Sequence, residues 1–120
     1  KNKLQRNKNS GPLPASINRL TNLTHLYITS NQFSGEFPDI PNLQKLTWIE
    51  MEFNRFTGEF PPVFSLLPKL SILKVKYNNF DPNTCVPARF GGWKLSLYIN
   101  PQRATHADAK TDYNLRDCTE

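Results

Sequence analysis

The sequence is poor in most of what marks a catalyst or a membrane segment. Two histidines and two cysteines occur in 120 residues. No group of them has metal-ligand spacing, so neither a metal site nor a cofactor is expected. No apolar run is long enough to span a bilayer. The longest, VFSLLPKLSILKV, is interrupted by Pro68 and Lys69, so membrane insertion of this segment is not expected. The chain starts mid-motif at Lys1 and shows no secretory signal. Hydrophobic residues reach only 38%, while prolines number ten. That balance lies below the globular average and suits a thin, turn-rich fold. The length is too small for two independent cores.

Acidic residues are missing from the first twenty positions, which carry Lys1, Lys3, Arg6, Lys8 and Arg19. The other ten basic residues balance the ten acids, so the net charge of +5 is a local N-terminal feature. A nucleic-acid surface needs a basic face interleaved with aromatics, and that pattern does not appear.

What is present is repetition. The stretch LTHLYITSNQFSGEFP from Leu23 returns as LTWIEMEFNRFTGEFP from Leu46, with half of the sixteen positions identical. Asn7, Asn31, Asn54 and Asn78 are spaced 24, 23 and 24 residues apart. Gly11, Gly35 and Gly58 keep that step, as do Pro14, Pro38 and Pro61. The apolar positions share the register: Leu20, Leu23, Leu26 and Ile28 return as Leu43, Leu46, Ile49 and Met51, then as Leu67, Leu70, Leu73 and Val75. A period of this length signals stacked structural units. Leu26-x-Ile28 alternates as a short strand with one buried face does. No unit can bury its apolar side alone, but neighbours stacked side by side fill one continuous core. The repeated Asn suits a rung that satisfies backbone groups in the turn leaving each strand.

These residues resemble the leucine-rich repeat, L-x-x-L-x-x-L-x-L-x-x-N-x-L-x-G-x-I-P, over residues 4–80. The Gly-x-apolar-Pro tail is similar to the plant-type subclass of receptor ectodomains and polygalacturonase-inhibiting proteins, and to some bacterial surface proteins. The resemblance implies an α/β repeat fold: a right-handed solenoid with a short-stranded parallel sheet on its concave face and a mostly irregular or 3-10 convex side. Phe replaces Leu or Ile at Phe33, Phe37, Phe56 and Phe60, and Asn9 stands at an apolar position, so the first unit is expected to be incomplete. The register implies that Lys1–Gln5 is the end of a strand, so the chain is expected to be a fragment of a longer array.

The repeats are expected over residues 1–84 and a capping unit over 85–120. After Phe80 the repeat breaks, yet Leu95-x-Leu97-x-x-Asn100 repeats the strand phrase. It predicts a terminal strand near 94–99 and adds Asn100 to the ladder of Asn7, Asn31, Asn54 and Asn78. Cys85 and Cys118 bracket this segment. They read as a disulfide that ties the tail over the cap, implying an oxidising compartment; two buried thiols or one reactive thiol are the alternatives. The Asn100-Pro101-Gln102 element departs from the plant cap and favours the bacterial kind of relative.

By alternation one outward column is Lys3, Tyr27, Glu50, Lys74, Ser96, and the next is Gln5, Thr29, Glu52, Lys76, Tyr98. Exposed Tyr27, Trp48 and Tyr98 beside charges are typical binding anchors. Glu50, Glu52, Lys74 and Lys76 join that candidate surface, although cross-strand ion pairing explains the same four charges. Phe53 and Tyr77, at strand ends, are expected to pack on each other. Glu50 and Glu52 stand two apart on one strand, about 7 Å at their roots, whereas glycosidase carboxylates face each other across a cleft. No Cys–His spacing supports a nucleophile. No enzyme is expected. Asn22-Leu23-Thr24 fits the N-glycosylation pattern, a triplet also common by chance.

The resemblance implies a non-catalytic recognition module, extracellular or at a cell surface, that binds a protein, peptide or glycan through the concave sheet. A structural spacer or adhesion segment of a larger surface protein is the alternative.

Overall fold

The computed structural model describes residues 2–3, 10–87, 96–103 and 112–118. Its strands are β1 (Asn2–Lys3), β2 (Ser10–Pro12), β3 (His25–Tyr27), β4 (Gln32–Glu36), β5 (Trp48–Glu50), β6 (Arg55–Thr57), β7 (Ile72–Lys74), β8 (Cys85–Val86), β9 (Ser96–Tyr98), β10 (Gln102–Arg103), β11 (Asp112–Tyr113) and β12 (Arg116–Asp117). Two 3-10 turns, Ala15–Arg19 and Pro62–Leu66, lie between strands of successive coils.

The main sheet is parallel, in the order β1-β3-β5-β7-β9. Its three-residue strands follow from the alternation. Leu26, Ile49 and Leu73 point into the core and are fully buried, while the residues on either side of each remain half-exposed. Ile28, Met51 and Val75 follow two residues on and are equally buried. Fully burying one such side chain is worth about 1.5–3 kcal/mol. No single coil could do so, because each coil's apolar side is covered by the next.

A second parallel sheet, β2-β4-β6, runs alongside the first. It adds short extended strands to the expected 3-10 turns and irregular stretches outside the main sheet. β4 and β6 follow the ladder asparagines Asn31 and Asn54 directly, and Phe33 and Phe56 pack inward from them with ring centres 6.3 Å apart. Its hydrogen bonding continues into the third coil, where Asn79 and Asp81 donate their N–H groups to the carbonyls of Phe56 and Gly58. A short strand interrupted by glycine gives little pattern to read, so only backbone pairing between coils reveals it.

The bend between the two sheets is left-handed. Ser30, Phe53 and Tyr77 have φ near +60°, and each immediately precedes a ladder Asn. Such a conformation costs a non-glycine residue roughly 1–2 kcal/mol. Its recurrence at one repeat position makes it a property of the coil.

Asn54 shows how a rung works. Its amide Nδ2 donates to the carbonyls of Met51 at 3.2 Å and of Ile28, one coil back, at 2.8 Å. Its Oδ1 accepts the N–H of Phe33 at 3.2 Å. Asn78 repeats the set with Val75, Met51 and Phe56. Each rung thus joins both sheets and two coils. Asn31 donates to Ile28, and Asn7 lies outside the described residues.

Asn100 is not the next rung. The sheet pairs Leu73 with Leu97 and Lys74 with Tyr98, so the strand phrase is Leu97-x-Ile99-x-x-Gln102. Gln102 donates Nε2 to Val75, one coil back, at 3.1 Å and also to the carbonyl of Ile99. A two-residue shift leaves alternation intact, and Leu97 takes a core position of the strand phrase in either frame, although in this last strand it stays exposed. Only this frame also turns Ile99 toward the core, against which it packs partly buried. Asn100 instead brackets Leu115, donating to its carbonyl at 3.0 Å and accepting its N–H at 2.6 Å. That clamp seats the buried Leu115 against the core.

The end of the chain folds back over the last coil. β10 pairs with β11 antiparallel, and β12 pairs with β8 parallel. A disulfide joins Cys85 to Cys118 across 33 residues of sequence. Tyr113 is half-buried beside Asp81; burial first, then that carboxylate, pushes its phenol up to about 12.

Candidate functional site

The outward face of the main sheet gathers most of the residues expected to bind. Pairing sets His25 beside Trp48 and Tyr27 beside Glu50. It sets Trp48 beside Ile72, Glu50 beside Lys74, and Lys74 beside Tyr98. Tyr98 therefore belongs to the column of Tyr27, Glu50 and Lys74. Ser96 belongs to that of His25, Trp48 and Ile72. Each lies one column from its expected place, by the same two-residue shift that removes Asn100 from the ladder.

The first half of the face is aromatic. The rings of His25 and Trp48 lie 6.0 Å apart and nearly parallel, and Tyr27 stands 5.8 Å from His25 and 6.3 Å from Trp48. The indole N–H of Trp48 donates to Glu50 Oε1 at 2.8 Å. That bond fixes the ring on the sheet and uses one oxygen of the carboxylate. Lys74 Nζ lies 3.7 Å from the same oxygen. It also sits 5.8 Å from the Trp48 ring centre and 5.3 Å from that of Tyr98, within cation–π reach of both. Glu50 and Lys74 are thus the cross-strand pair that the sheet uses for itself. An exposed pair of this kind contributes at most about 1 kcal/mol.

The second half is cationic. Lys76 lies 5.9 Å from the Tyr98 ring. Among the described residues no ion pair joins Lys76 to Glu52. Burial raises the Glu52 carboxyl above its usual range, Lys74 and Lys76 pull it partly back, and Glu50 adds to the rise. Next to Glu52 in the column stands Thr29, whose buried hydroxyl has no hydrogen-bond partner among the described residues.

At the strand ends Phe53 and Tyr77 stack with centres 4.7 Å apart. The Arg103 guanidinium lies 5.6 Å from each ring. The sequence reading missed Arg103 and Gln102. The signal was the 24-residue step from Asn78 to Gln102, hidden by the competing phrase that ends at Asn100.

Two shallow grooves lie off this face. One, of about 230 Å³, is lined at the Phe-Pro corners by Glu36, Asp39 and Glu59. The other, of about 320 Å³, borders the disulfide. Neither contains a group of side chains that could hold a metal ion among the described residues.

The profile of the family Leucine Rich Repeat matches residues 22–43 and 45–67. These coils are leucine-rich repeats. Among solved structures, the leucine-rich repeats here resemble the Arabidopsis receptor kinase HAESA, solved in complex with the peptide hormone IDA and the co-receptor SERK1. The TM-score is 0.66 at 30% identity, over 78% of this chain. The match spans 16% of the receptor chain, so this leucine-rich-repeat segment is much shorter than that protein. No curated protein gives a significant match.

Proposed function

We propose that the chain is a non-catalytic recognition module whose concave sheet binds an extended protein or peptide ligand in an extracellular or cell-surface setting. One observation carries this reading: a single sheet face concentrates His25, Tyr27, Trp48 and Tyr98 with Lys74 and Lys76. Aromatic and cationic side chains of this kind are the usual anchors of interfaces. Glu50 orients Trp48 and offsets Lys74, which leaves Tyr27, Trp48, Lys76 and Tyr98 as the groups that contact the ligand. Glu52, whose carboxyl burial raises above its usual range, adds an acidic group to the same face.

The receptor HAESA, similar in fold, binds a peptide hormone and a co-receptor, which supports a protein or peptide partner over a glycan. The disulfide supports an oxidising compartment. A structural spacer is the competing reading, favoured by the Glu50–Lys74 pair, which the sheet itself explains.

The test is capture from extracts of the native environment, wild type beside a Tyr27→Ala, Trp48→Ala, Lys76→Glu variant, both shown folded by circular dichroism. Partners held by wild type alone support the concave face. Equal capture by both, or by neither, favours the spacer.

A further inference from the structure

We infer that Asn22 is a site of N-linked glycosylation, standing at the rim where the chain enters the main sheet. This rests on the secretory setting proposed above but not on ligand binding. Asn22-Leu23-Thr24 is the only Asn-x-Ser/Thr triplet in the sequence. Asn22 is exposed and occupies the third position of a turn closed by the N–H of Leu23 on the carbonyl of Leu20, at 2.9 Å.

The Thr of the triplet has a structural explanation and the Asn does not. Thr47, the next coil's counterpart of Thr24, donates its hydroxyl to the carbonyl of Thr24 at 3.1 Å, and Ser71 does the same to Thr47 at 2.9 Å. A hydroxyl at this position is a feature of the coil. The counterparts of Asn22 are Lys45 and Lys69, so the coil does not call for Asn there. Lys45 Nζ donates to Asn22 Oδ1 at 2.9 Å. A lysine only donates, which fixes the amide: the oxygen faces Lys45, and no described residue accepts from Nδ2. The folded coil therefore accommodates a sugar on Nδ2, and the lysine contact survives the modification.

The donor is an oligosaccharide on a polyprenyl diphosphate. Nδ2 forms a bond to the anomeric carbon of the first sugar, and the bond from that carbon to the diphosphate oxygen breaks. The polyprenyl diphosphate leaves with the electron pair, and one Nδ2 proton passes to a base of the transferase. Leu23 is buried and its N–H is tied in the turn. A transferase that grips the whole triplet must therefore act before this coil closes. Once the coil is folded, the exposed Asn22 holds the glycan outward without disturbing the core.

The chain is produced behind a cleavable signal in a eukaryotic cell, and whole-cell material is read by mass spectrometry and peptide N-glycosidase. The expected result is one core glycan, whose removal converts Asn22 to Asp. Asn22→Gln and Thr24→Ala lose it, and Thr24→Ser keeps it. An unmodified Asn22 peptide from chains whose Cys85–Cys118 bond has formed overturns the inference, since that bond shows the lumen was reached. A glycan that persists in Asn22→Gln overturns it equally. Either failure leaves the concave-face reading to its own capture experiment.

Discussion

Gln102 reaches back one coil to the carbonyl of Val75 at 3.1 Å, as Asn78 reaches back to Met51 at 2.9 Å. The extra methylene of Gln does not prevent it from serving as a rung. Asn100, two residues earlier, holds Leu115 instead.

The two side chains therefore fail differently when removed. Gln102→Ala removes the amide donor to the Ile99 carbonyl and one of the two on the Val75 carbonyl, the other being Asn78, and is expected to cost about 1–3 kcal/mol, seen as a lower denaturation midpoint with an unchanged m-value. Asn100→Ala should chiefly speed hydrogen exchange at the Leu115 amide, which Asn100 Oδ1 now protects. If Asn100→Ala instead leaves exchange at Leu115 unchanged and alters only the Val75 strand, Asn100 is a rung of the ladder after all.

The Cys85–Cys118 bond closes a 33-residue separation. Chain entropy then predicts a loss of about 3–4 kcal/mol on Cys85→Ser, Cys118→Ser replacement. Urea unfolding of oxidised and double-serine protein measures it. A change below about 1 kcal/mol would show that the cap contributes little to global stability.

Glu52 has its carboxyl raised above 4.5, chiefly by burial. The folded chain therefore holds the extra proton between the two values. Stability is greatest below the unfolded value and declines as pH rises through the folded one. Glu52→Gln should flatten this decline and leave the protein at least as stable at pH 7. Melting temperatures of both proteins across pH 3.5–7 decide the matter. A variant whose deficit grows with pH would mean that the lysines outweigh the desolvation.

Phe53 and Phe56 are three residues apart and should respond oppositely. Phe56 is fully buried, and Phe56→Ala is expected to cost about 3–5 kcal/mol. Phe53 is exposed with φ of +59°. Phe53→Gly relieves about 1 kcal/mol of backbone strain and gives up ring contacts of about 0.5–1.5 kcal/mol. The net change should lie within about 1 kcal/mol in either direction. Thermal unfolding of the two variants side by side checks the contrast.

Much of this was legible in one period. The recurrence of Leu26, Ile49 and Leu73, and of Asn31, Asn54 and Asn78, determined the solenoid, the inward faces of β3, β5 and β7, and the residues displayed opposite them, because alternation and stacking leave an apolar stripe of that spacing no other way to be buried. The pairing of Cys85 with Cys118, the second sheet, and the exchange of roles between Asn100 and Gln102 were decided by tertiary structure. Alternation repeats every two residues, so a strand read alone is ambiguous by that step. The neighbouring coil removes the ambiguity, because its carbonyls at Val75 and its ring at Tyr77 accept only one alignment of the strand beside them. Tyr98 therefore stands next to Lys74, a placement set by packing between coils.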